Sequence, residues 1–418
     1  MSLPESLTRS QRYLVLGCAL GAWLLAGMIM AVPPLAARQA VASMGVTNET
    51  LRGQWFSWYV AAFLLGAATG GFLFGWMGDR FGRAKALGAS VLTYSLLAGA
   101  CYFVTTPVQM LVLWYLACLG VGGVWPNGVS LASEAAPNVS RPWLSGLFGT
   151  AANFGLILLA VIAYFKPIQV DNWRWVMLVA ASPALLGILI LAFVPESPGW
   201  LAKRARGPSG EARKSVVAEL FRPPLLKSTI LGILLGTIPQ VGNWGATNWL
   251  VPWANQVQEE LGRTGMSAAT QWTKSSGAAL GSLLGGWFAT LCGRRTAYFL
   301  VSLASLSTGF YLFHNLTPAD DSFLTWVFIQ GFFGTIYFGW LPLYLPELFP
   351  TRVRATGTGM AFNWGRVATA GGVLMSGQLM PAFGGDYSRV GQVACFVYAL
   401  GMIIICFAPD TSKTRLEE

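Results

Sequence analysis

Long apolar runs separated by short polar segments recur along the whole chain, and they constrain its fold more than any other feature. Only 11% of the 418 residues are charged, whereas about 25% are charged in a soluble domain. A chain with so few charges cannot cover a water-exposed surface, so lipid must surround most of it. Spans of about 20–25 residues divide this length into about twelve membrane helices.

The apolar runs predict twelve membrane-spanning helices, called here spans 1 to 12. A polar stretch rich in Lys, Arg, Pro and Gly follows the sixth run and reads as a linker. It divides the chain into an N-terminal six-helix half at 1–194, a cytoplasmic linker at 195–224 and a C-terminal six-helix half at 225–418. The predicted spans are 13–35, 53–76, 86–104, 107–133, 144–165, 173–194, 225–254, 266–291, 297–313, 323–345, 355–380 and 390–407.

The two halves repeat one another. A shift of 211 matches Gly66, Gly70, Gly75, Trp76, Gly82 and Arg83 with Gly277, Gly281, Gly286, Trp287, Gly293 and Arg294. A shift of 213 matches Glu134, Pro137, Arg141 and Gly146 with Glu347, Pro350, Arg354 and Gly359. Such repeats predict that substrate binds between the halves near mid-depth.

The basic residues follow the topology expected of a membrane protein. Nineteen Lys and Arg residues fall in the segments on the side of the 75–85 loop and six on the opposite side, which predicts that both termini are cytoplasmic. This bias explains the net charge of +10 without nucleic acid, because the basic residues are scattered. The six cysteines form no CxxC pair and His314 is the single histidine, so neither a metal site nor a cofactor is predicted.

Three motifs point to a family. Segment 75–85 reads GWMGDRFGRAK, which resembles the signature loop between helices 2 and 3 of the major facilitator superfamily of secondary transporters. PESPGWL at 195–201 and PELFPTRVRATG at 346–357 resemble its sugar-porter and organic-ion branches, which usually have Arg where this chain has Gly199. The resemblance implies an all-α membrane protein with the twelve-helix, two-half major facilitator fold and no enzymatic activity.

The same resemblance implies a set of gating residues. In the superfamily the Asp of the signature loop faces the N-terminus of helix 11 and latches the halves in the outward-open state, so Asp79 is the expected latch and Arg83 its loop partner. A carboxylate at a helix N-terminus gains about 0.3–1 kcal/mol. The charges that end spans 4 and 10 are expected to pair across the halves when the inner gate closes; they are Glu134, Arg141, Glu347 and Arg354.

Two ionisable residues lie well inside predicted spans: Lys274 in span 8 and Arg366 in span 11. A charge at the centre of a span costs roughly 2.5–3.5 kcal/mol on insertion scales, so both are expected to face a watery passage. No Asp or Glu lies at matching depth, which predicts an anion site. This pair of residues resembles that of organic anion transporters, which carry a Lys on helix 8 and an Arg on helix 11 that face bound anions. Snorkelling of Lys274 and bonding of Arg366 to helix-end carbonyls are the alternatives.

Polar neighbours at helical spacing are candidate substrate contacts, with helix packing as the alternative for each. Pro239 and Gly242 lie beside three of them in span 7 and are expected to loosen that helix into a gate. The candidates are Asn363, Gln271, Gln240, Asn243, Thr247, Tyr337 and Asn153.

The coupling mechanism is left open by the sequence. Spans 1, 4 and 7 carry no buried carboxylate, and Trp114 stands where many proton symporters of this superfamily have Arg. Two routes remain: the protein is an exchanger or uniporter, or Lys274 takes up a proton together with the anion.

The leading hypothesis is a monomeric transporter of a small organic anion, monocarboxylates first, in a bacterial inner membrane. A sugar or other neutral-metabolite porter is one alternative, although sugar sites use amides and aromatic rings rather than two bare cations. A transport-inactive receptor or scaffold is another, although such proteins carry large soluble loops and this chain has none longer than about 35 residues.

Overall fold

The computed structural model describes residues 7–136, 139, 141–205, 216–350 and 353–411, and these residues form helices with no β-strand. In chain order the α-helices are α1 (Arg9–Met30), α2 (Val32–Ser43), α3 (Glu49–Phe81), α4 (Arg83–Ala100), α5 (Pro107–Ala135), α6 (Arg141–Phe165), α7 (Trp175–Ala181), α8 (Ala184–Phe193), α9 (Pro198–Ala205), α10 (Val216–Leu220), α11 (Leu225–Gln240), α12 (Leu250–Glu260), α13 (Met266–Cys292), α14 (Arg294–Asn315), α15 (Phe323–Glu347), α16 (Arg354–Ala382), α17 (Tyr387–Cys395) and α18 (Val397–Cys406).

Ten helical segments among the described residues are long and apolar enough to cross a membrane. Two further helices, α13 and α16, have 27 and 29 residues and carry Lys274 and Arg366. Length alone therefore lets them cross a bilayer too, and the total is consistent with the twelve predicted spans. The expectation of an all-α membrane protein is confirmed.

The signature segment is more helical than the sequence suggests. The hydropathy pattern predicts an end of span 2 near Trp76, but α3 continues to Phe81 and α4 begins at Arg83. Gly82 alone separates the two helices, with φ of 115°. Glycine adopts this backbone conformation without a steric penalty, so one residue is enough to turn the chain. The predicted loop is thus a one-residue break.

Several spans are interrupted where the sequence carries prolines. Span 1 breaks at Ala31, between α1 and α2, and Pro33-Pro34 occupy the first turn of α2, where a missing N–H costs little. Span 7 consists of α11, a π-helical turn at Val241–Ala246, a 3₁₀ turn at Thr247–Trp249, and α12. The predicted loosening beside Pro239 coincides with this π-helical turn.

The packing follows the internal repeat. Helix α3 packs along α5 in the first half, and α13 packs along α15 in the second. The repeat-related glycines explain why these helices approach closely: a methyl group added at Gly70 would overlap the carbonyl oxygen of Leu119, and one at Gly281 would overlap that of Phe332. Small residues at such crossings are typical of membrane helices.

Gly70→Ala and Gly281→Ala are expected to destabilise the protein by about 1–3 kcal/mol each, because the added methyl group has no space between the helices. Thermal unfolding in detergent measures this effect. Gly75→Ala is the matched control, since a methyl group added at Gly75 would meet no atom of another helix within 4 Å. A Gly70→Ala protein that melts with the wild type would contradict the close crossing.

The two six-span groups meet along α6 with α13 and along α3 with α16. One apolar cluster extends from the first group into the second through Trp249, Val373 and Met380. A separate cluster lies wholly in residues 220–408 and contains Trp340 and Phe349. We call the end of the bundle with Arg38 and Glu259 the Arg38 end, and the end with Gly82, Glu134 and Glu347 the signature-loop end.

Candidate functional site

Arg366 lies in the middle of α16 and reaches toward the first half. Its Nη1 donates to the Ala67 carbonyl oxygen of α3 at 3.5 Å and to Asn363 Oδ1 at 3.5 Å. Its guanidinium carbon stands 5.0 Å from the centroid of the Phe362 ring. Both hydrogen bonds are long, and a guanidinium has five N–H donors. Arg366 therefore keeps donors for an anion at the interface between the halves.

Lys274 lies in α13 and is buried, with 7% of the residue exposed. Its Nζ donates to Asn248 Oδ1 at 3.0 Å. Because the side chain ends on a buried amide, it does not extend to a membrane surface. An ammonium carries three donors, so two N–H groups remain beyond the bond to Asn248.

Among the described residues no carboxylate lies within ion-pair distance of Lys274 or Arg366. The two stand at different depths, however. Gln240 contacts the backbone of α16 four residues before Arg366, and Asn248 follows eight residues later in span 7, a rise of roughly 12 Å. The two cations therefore lie apart: Arg366 contacts α3 of the first half, and Lys274 is buried against span 7 inside the second half.

The polar residues of span 7 point in different directions. Gln240 Nε2 donates to the carbonyl oxygens of Gly236 at 2.9 Å and Phe362 at 3.3 Å, so it joins α11 to α16. Thr247 Oγ1 donates to the Asn243 carbonyl oxygen at 3.1 Å. The π-helical turn changes the helical phase between these positions, so Gln240 and Thr247 do not share the single face that a regular helix predicts.

The remaining candidate residues differ in their distance from Lys274 and Arg366. Asn363 lies beside Arg366 and against Gly71 of α3, and Gln271 lies one turn from Lys274 with its Nε2 bonded to Ser275 Oγ at 2.9 Å. Asn153 donates within its own helix, to the Gly149 carbonyl oxygen at 3.0 Å.

Tyr337 is placed apart from the other candidates. Its hydroxyl donates to Ser302 Oγ at 2.8 Å, and its ring packs against Tyr298 and Tyr398. These contacts hold α15 to α14 and α18 inside the second half. This position corresponds to the packing alternative for Tyr337.

A charge cluster that sequence reasoning missed closes the Arg38 end. Arg38 Nε and Nη2 donate to the two carboxylate oxygens of Glu49, each at 2.7 Å. Across the interface, Arg38 Nη1 lies 2.5 Å from Glu259 Oε1 and donates to Asn255 Oδ1 at 2.8 Å. Tyr387 donates to Glu49 Oε1 at 2.7 Å. This bridge between the halves was not found because Arg38 and Glu259 lie 221 positions apart; the only signal is a charge next to an apolar run.

The predicted gating residues whose side chains are described form no ion pair across the halves in this structure. Arg83 lies 3.7 Å from Asp79. Glu134 Oε2 accepts from Ser197 Oγ at 2.6 Å and from the Gly199 backbone at 3.0 Å. The side chain of Arg141 lies outside the described residues. Arg354 Nε donates to the Phe349 carbonyl oxygen at 3.4 Å.

The second half repeats this arrangement with a stronger pair. Glu347 lies 2.9 Å from Arg294 and accepts from Thr411 Oγ1 at 2.5 Å, as Glu134 accepts from Ser197. The PES segment supplies one more contact that sequence reasoning missed: Glu196 Oε1 accepts from the Arg83 and Ala84 backbone N–H groups at 2.7 and 3.0 Å. It thereby caps the N-terminus of α4.

The two ends of the bundle therefore differ. Ion pairs, hydrogen bonds and ring contacts such as Phe56 with Trp249 join the halves at the Arg38 end. At the signature-loop end, no ion pair between the described residues crosses from one half to the other, and the Asp79 side chain is 69% exposed. Asp79, the residue expected to latch the halves, therefore forms no ion pair with a described residue of the second half.

Comparisons with known proteins agree with the fold and the motifs. Residues 14–220 match the family model described as sugar (and other) transporter. The chain is 31% identical over 317 residues to the cis,cis-muconate transport protein of Acinetobacter baylyi, covering 73% of this chain and 74% of that protein. It is 27% identical over 363 residues to the putative niacin/nicotinamide transporter NiaP of Bacillus subtilis, covering 86% of this chain and 88% of that protein.

The fold is also similar to a solved transporter. The xylose transporter XylE from E. coli, in a partially occluded inward-open conformation, superposes with a TM-score of 0.75 at 18% identity, covering 98% of this chain and 100% of XylE. The predicted superfamily membership is confirmed, and the relatives are transporters rather than enzymes. The chain belongs to the sugar (and other) transporter family of the major facilitator superfamily.

Proposed function

We propose that the protein transports a small organic anion, a monocarboxylate first, by alternating access between its N-terminal half (1–194) and C-terminal half (225–418), which the 195–224 linker joins. One observation carries the proposal: Arg366 reaches the first half from α16, Lys274 is buried in α13, and no described carboxylate neutralises either. Keeping two such charges uncompensated is costly, and a bound anion offsets that cost. An Arg also grips a carboxylate with two parallel hydrogen bonds.

The names of the relatives support an organic acid. They include a cis,cis-muconate transport protein, a putative niacin/nicotinamide transporter and a probable 4-methylmuconolactone transporter from Cupriavidus pinatubonensis. In our proposal this chain resides in a bacterial inner membrane as a monomer, with the signature-loop end and both termini in the cytoplasm. The positive-inside bias supports this orientation, and the disengaged Asp79 then makes the described conformation inward-facing.

A sugar porter is the second candidate function. The arabinose-proton symporter of Bacillus subtilis is 25% identical over 414 residues, and the family model includes sugars. Sugar binding relies on amides and aromatic rings, and a neutral sugar gives Lys274 and Arg366 no negatively charged partner.

Uptake into liposomes containing the purified protein separates the two candidates. We expect saturable uptake of an organic acid from a panel of muconate, nicotinate and benzoate, and none of arabinose. Uptake of arabinose with no uptake of any acid would overturn the anion proposal.

Lys274 is the proposed proton carrier of proton-coupled uptake, because it is the one buried amine among the described residues and Arg366 stays charged. Lys274→Gln is then expected to abolish proton uptake that accompanies the acid. If this variant still takes up protons with its substrate, another group carries them. Exchange without protons in the wild type would make the protein an exchanger.

A further inference from the structure

Three groups around Lys274 have unused hydrogen-bonding capacity. Asn248 Nδ2 and Gln271 Oε1 are both buried without a partner, and these residues are 2% and 1% exposed. The Lys274 ammonium uses one of its three donors, on Asn248 Oδ1. Buried polar atoms in native proteins are nearly always bonded, so three such groups at one place point to a ligand.

We propose that Lys274, Asn248 and Gln271 form a subsite for a carboxylate whose carbon skeleton also carries a hydrogen-bond donor, that is, a hydroxy-substituted organic acid. The inference rests on the proposed transport of organic anions and narrows the substrate class. The chemistry of each free atom assigns the two parts of the ligand.

The carboxylate fits the donors. Lys274 Nζ and Asn248 Nδ2 belong to side chains already in contact, and each offers an N–H group. A carboxylate has two oxygens that accept such bonds, and a charged donor makes the stronger of them. The Asn248 amide is oriented by its bond to Lys274, so its NH₂ group is the part left for the ligand.

The donor fits Gln271. Its Nε2 is bonded to Ser275 Oγ at 2.9 Å, which leaves Oε1 as an acceptor. A carboxylate oxygen would repel that atom, whereas a hydroxyl group would donate to it. Gln271 precedes Lys274 by three residues on α13, and side chains at this spacing lie about 5–6 Å apart. The hydroxyl group is therefore expected at about that distance from the carboxylate.

The adjoining helix gives the ligand a way in. The π-helical turn at Val241–Ala246 and the 3₁₀ turn at Thr247–Trp249 interrupt span 7 directly before and at Asn248. Such turns are weaker than α-helix and are frequent at functional sites. Movement of this segment displaces Asn248 from Lys274 and opens the subsite to the interface between the halves.

Equilibrium binding of three probes to the purified protein tests the inference. The probes are 3-hydroxybenzoate, benzoate and 3-methoxybenzoate. The methoxy compound keeps the ring-bound oxygen of the hydroxy compound but lacks its hydrogen-bond donor. We expect wild type to bind 3-hydroxybenzoate on the order of tenfold more tightly than the other two, as one buried hydrogen bond provides. Equal binding of all three acids would overturn the inference and leave anion transport standing. Binding of none of the three would also overturn the inference, and the uptake panel of muconate, nicotinate and benzoate then decides the anion proposal separately.

Two variants locate the effect. Gln271→Leu is expected to abolish the preference for the hydroxyl group, so that 3-hydroxybenzoate and benzoate bind with about equal affinity. Gln330→Leu is the matched control, because Gln330 is also a buried amide with one unpartnered atom, and it faces Thr308 of α14 rather than Lys274. A preference for 3-hydroxybenzoate that survives Gln271→Leu would show that the acceptor lies elsewhere.

Asn248→Asp tests the carboxylate half of the subsite. The change is nearly isosteric and places a carboxylate against the Lys274 ammonium, where it competes with the carboxylate of the ligand. All three probes are therefore expected to bind about a hundredfold more weakly. Unchanged binding would mean that the ligand carboxylate does not reach Lys274.

Discussion

Arg366→Met is expected to lower the uptake of an organic acid such as benzoate by about a hundredfold. An ion contact at about 4 Å gives roughly 4 kcal/mol at an effective dielectric constant near 20, before desolvation. If about two-thirds of this energy is left after the cost of desolvation, its loss lowers binding by about a hundredfold. The other arginine of α16, Arg354, lies at the N-terminus of the helix and donates to the Phe349 carbonyl oxygen. The present partners of Arg366 are two oxygens at 3.5 Å.

Two controls separate charge from structure in this prediction. Arg366→Lys keeps the charge but loses the paired N–H groups of a guanidinium, so its uptake is expected to fall between those of wild type and Arg366→Met. Arg389→Met removes an exposed arginine that pairs only within its own helix end, with Asp386 at 3.3 Å, and it is expected to leave uptake unchanged. A folded Arg366→Met protein that transports at the wild-type rate would exclude Arg366 from the anion path.

Arg38→Met is expected to open the Arg38 end. Arg38 holds Glu49 of the first half and Glu259 of the second, and its loss leaves the half-buried Glu49 with Arg52, 3.5 Å away, as its remaining cation. Breaking a buried ion pair costs about 3–5 kcal/mol, and separation of the halves relieves that cost by admitting water. The closed conformation is therefore expected to lose population by at least about tenfold.

A cysteine at Ser57 reports this opening. Ser57 is buried where α3 meets Gly377 of α16, so Ser57→Cys, in a background with the six native cysteines replaced, is shielded while the halves touch. We expect thiol labelling at least about tenfold faster in Arg38→Met.

Glu259→Gln removes the charged contact across the interface but keeps Arg38 paired with Glu49, so it is expected to raise the labelling rate by a smaller factor. Arg389→Met should not change it. Labelling that stays slow in both Arg38→Met and Glu259→Gln would show that the charge cluster does not hold this end closed.

Much of the fold was predictable because a helix that lies in lipid must be apolar along its length, and such apolar runs are visible in the sequence. Apolar run length predicted the spans, because it depends on neighbours along one chain segment. The glycines that repeat between the halves include Gly70 and Gly281, which the structure places at close helix crossings. The end of α3 was wrong by five residues. A helix that leaves the membrane continues as long as backbone geometry allows, and hydropathy does not report where that stops.

The sequence identified only those candidate site residues whose position in a membrane span is energetically costly by itself. Lys274 and Arg366 stood out because a charge within a span needs a reason. Asn248 did not, since its importance depends on the π-helical turn that rotates it toward Lys274, and helical periodicity assumes a regular helix. The partners of Arg38 come from two other helices, α3 and α12, and no local pattern encodes such contacts.

The most direct test of the charge claim compares each acid with its neutral amide. Thermal unfolding of the purified protein is measured with benzoate and benzamide and with nicotinate and nicotinamide, for wild type and for the Lys274→Met/Arg366→Met double variant. These pairs share size and ring, and differ in charge. The account predicts that at least one acid raises the unfolding temperature of wild type, that its amide does not, and that the double variant responds to neither. Equal stabilisation by acid and amide, or stabilisation by acid that persists in the double variant, would contradict it.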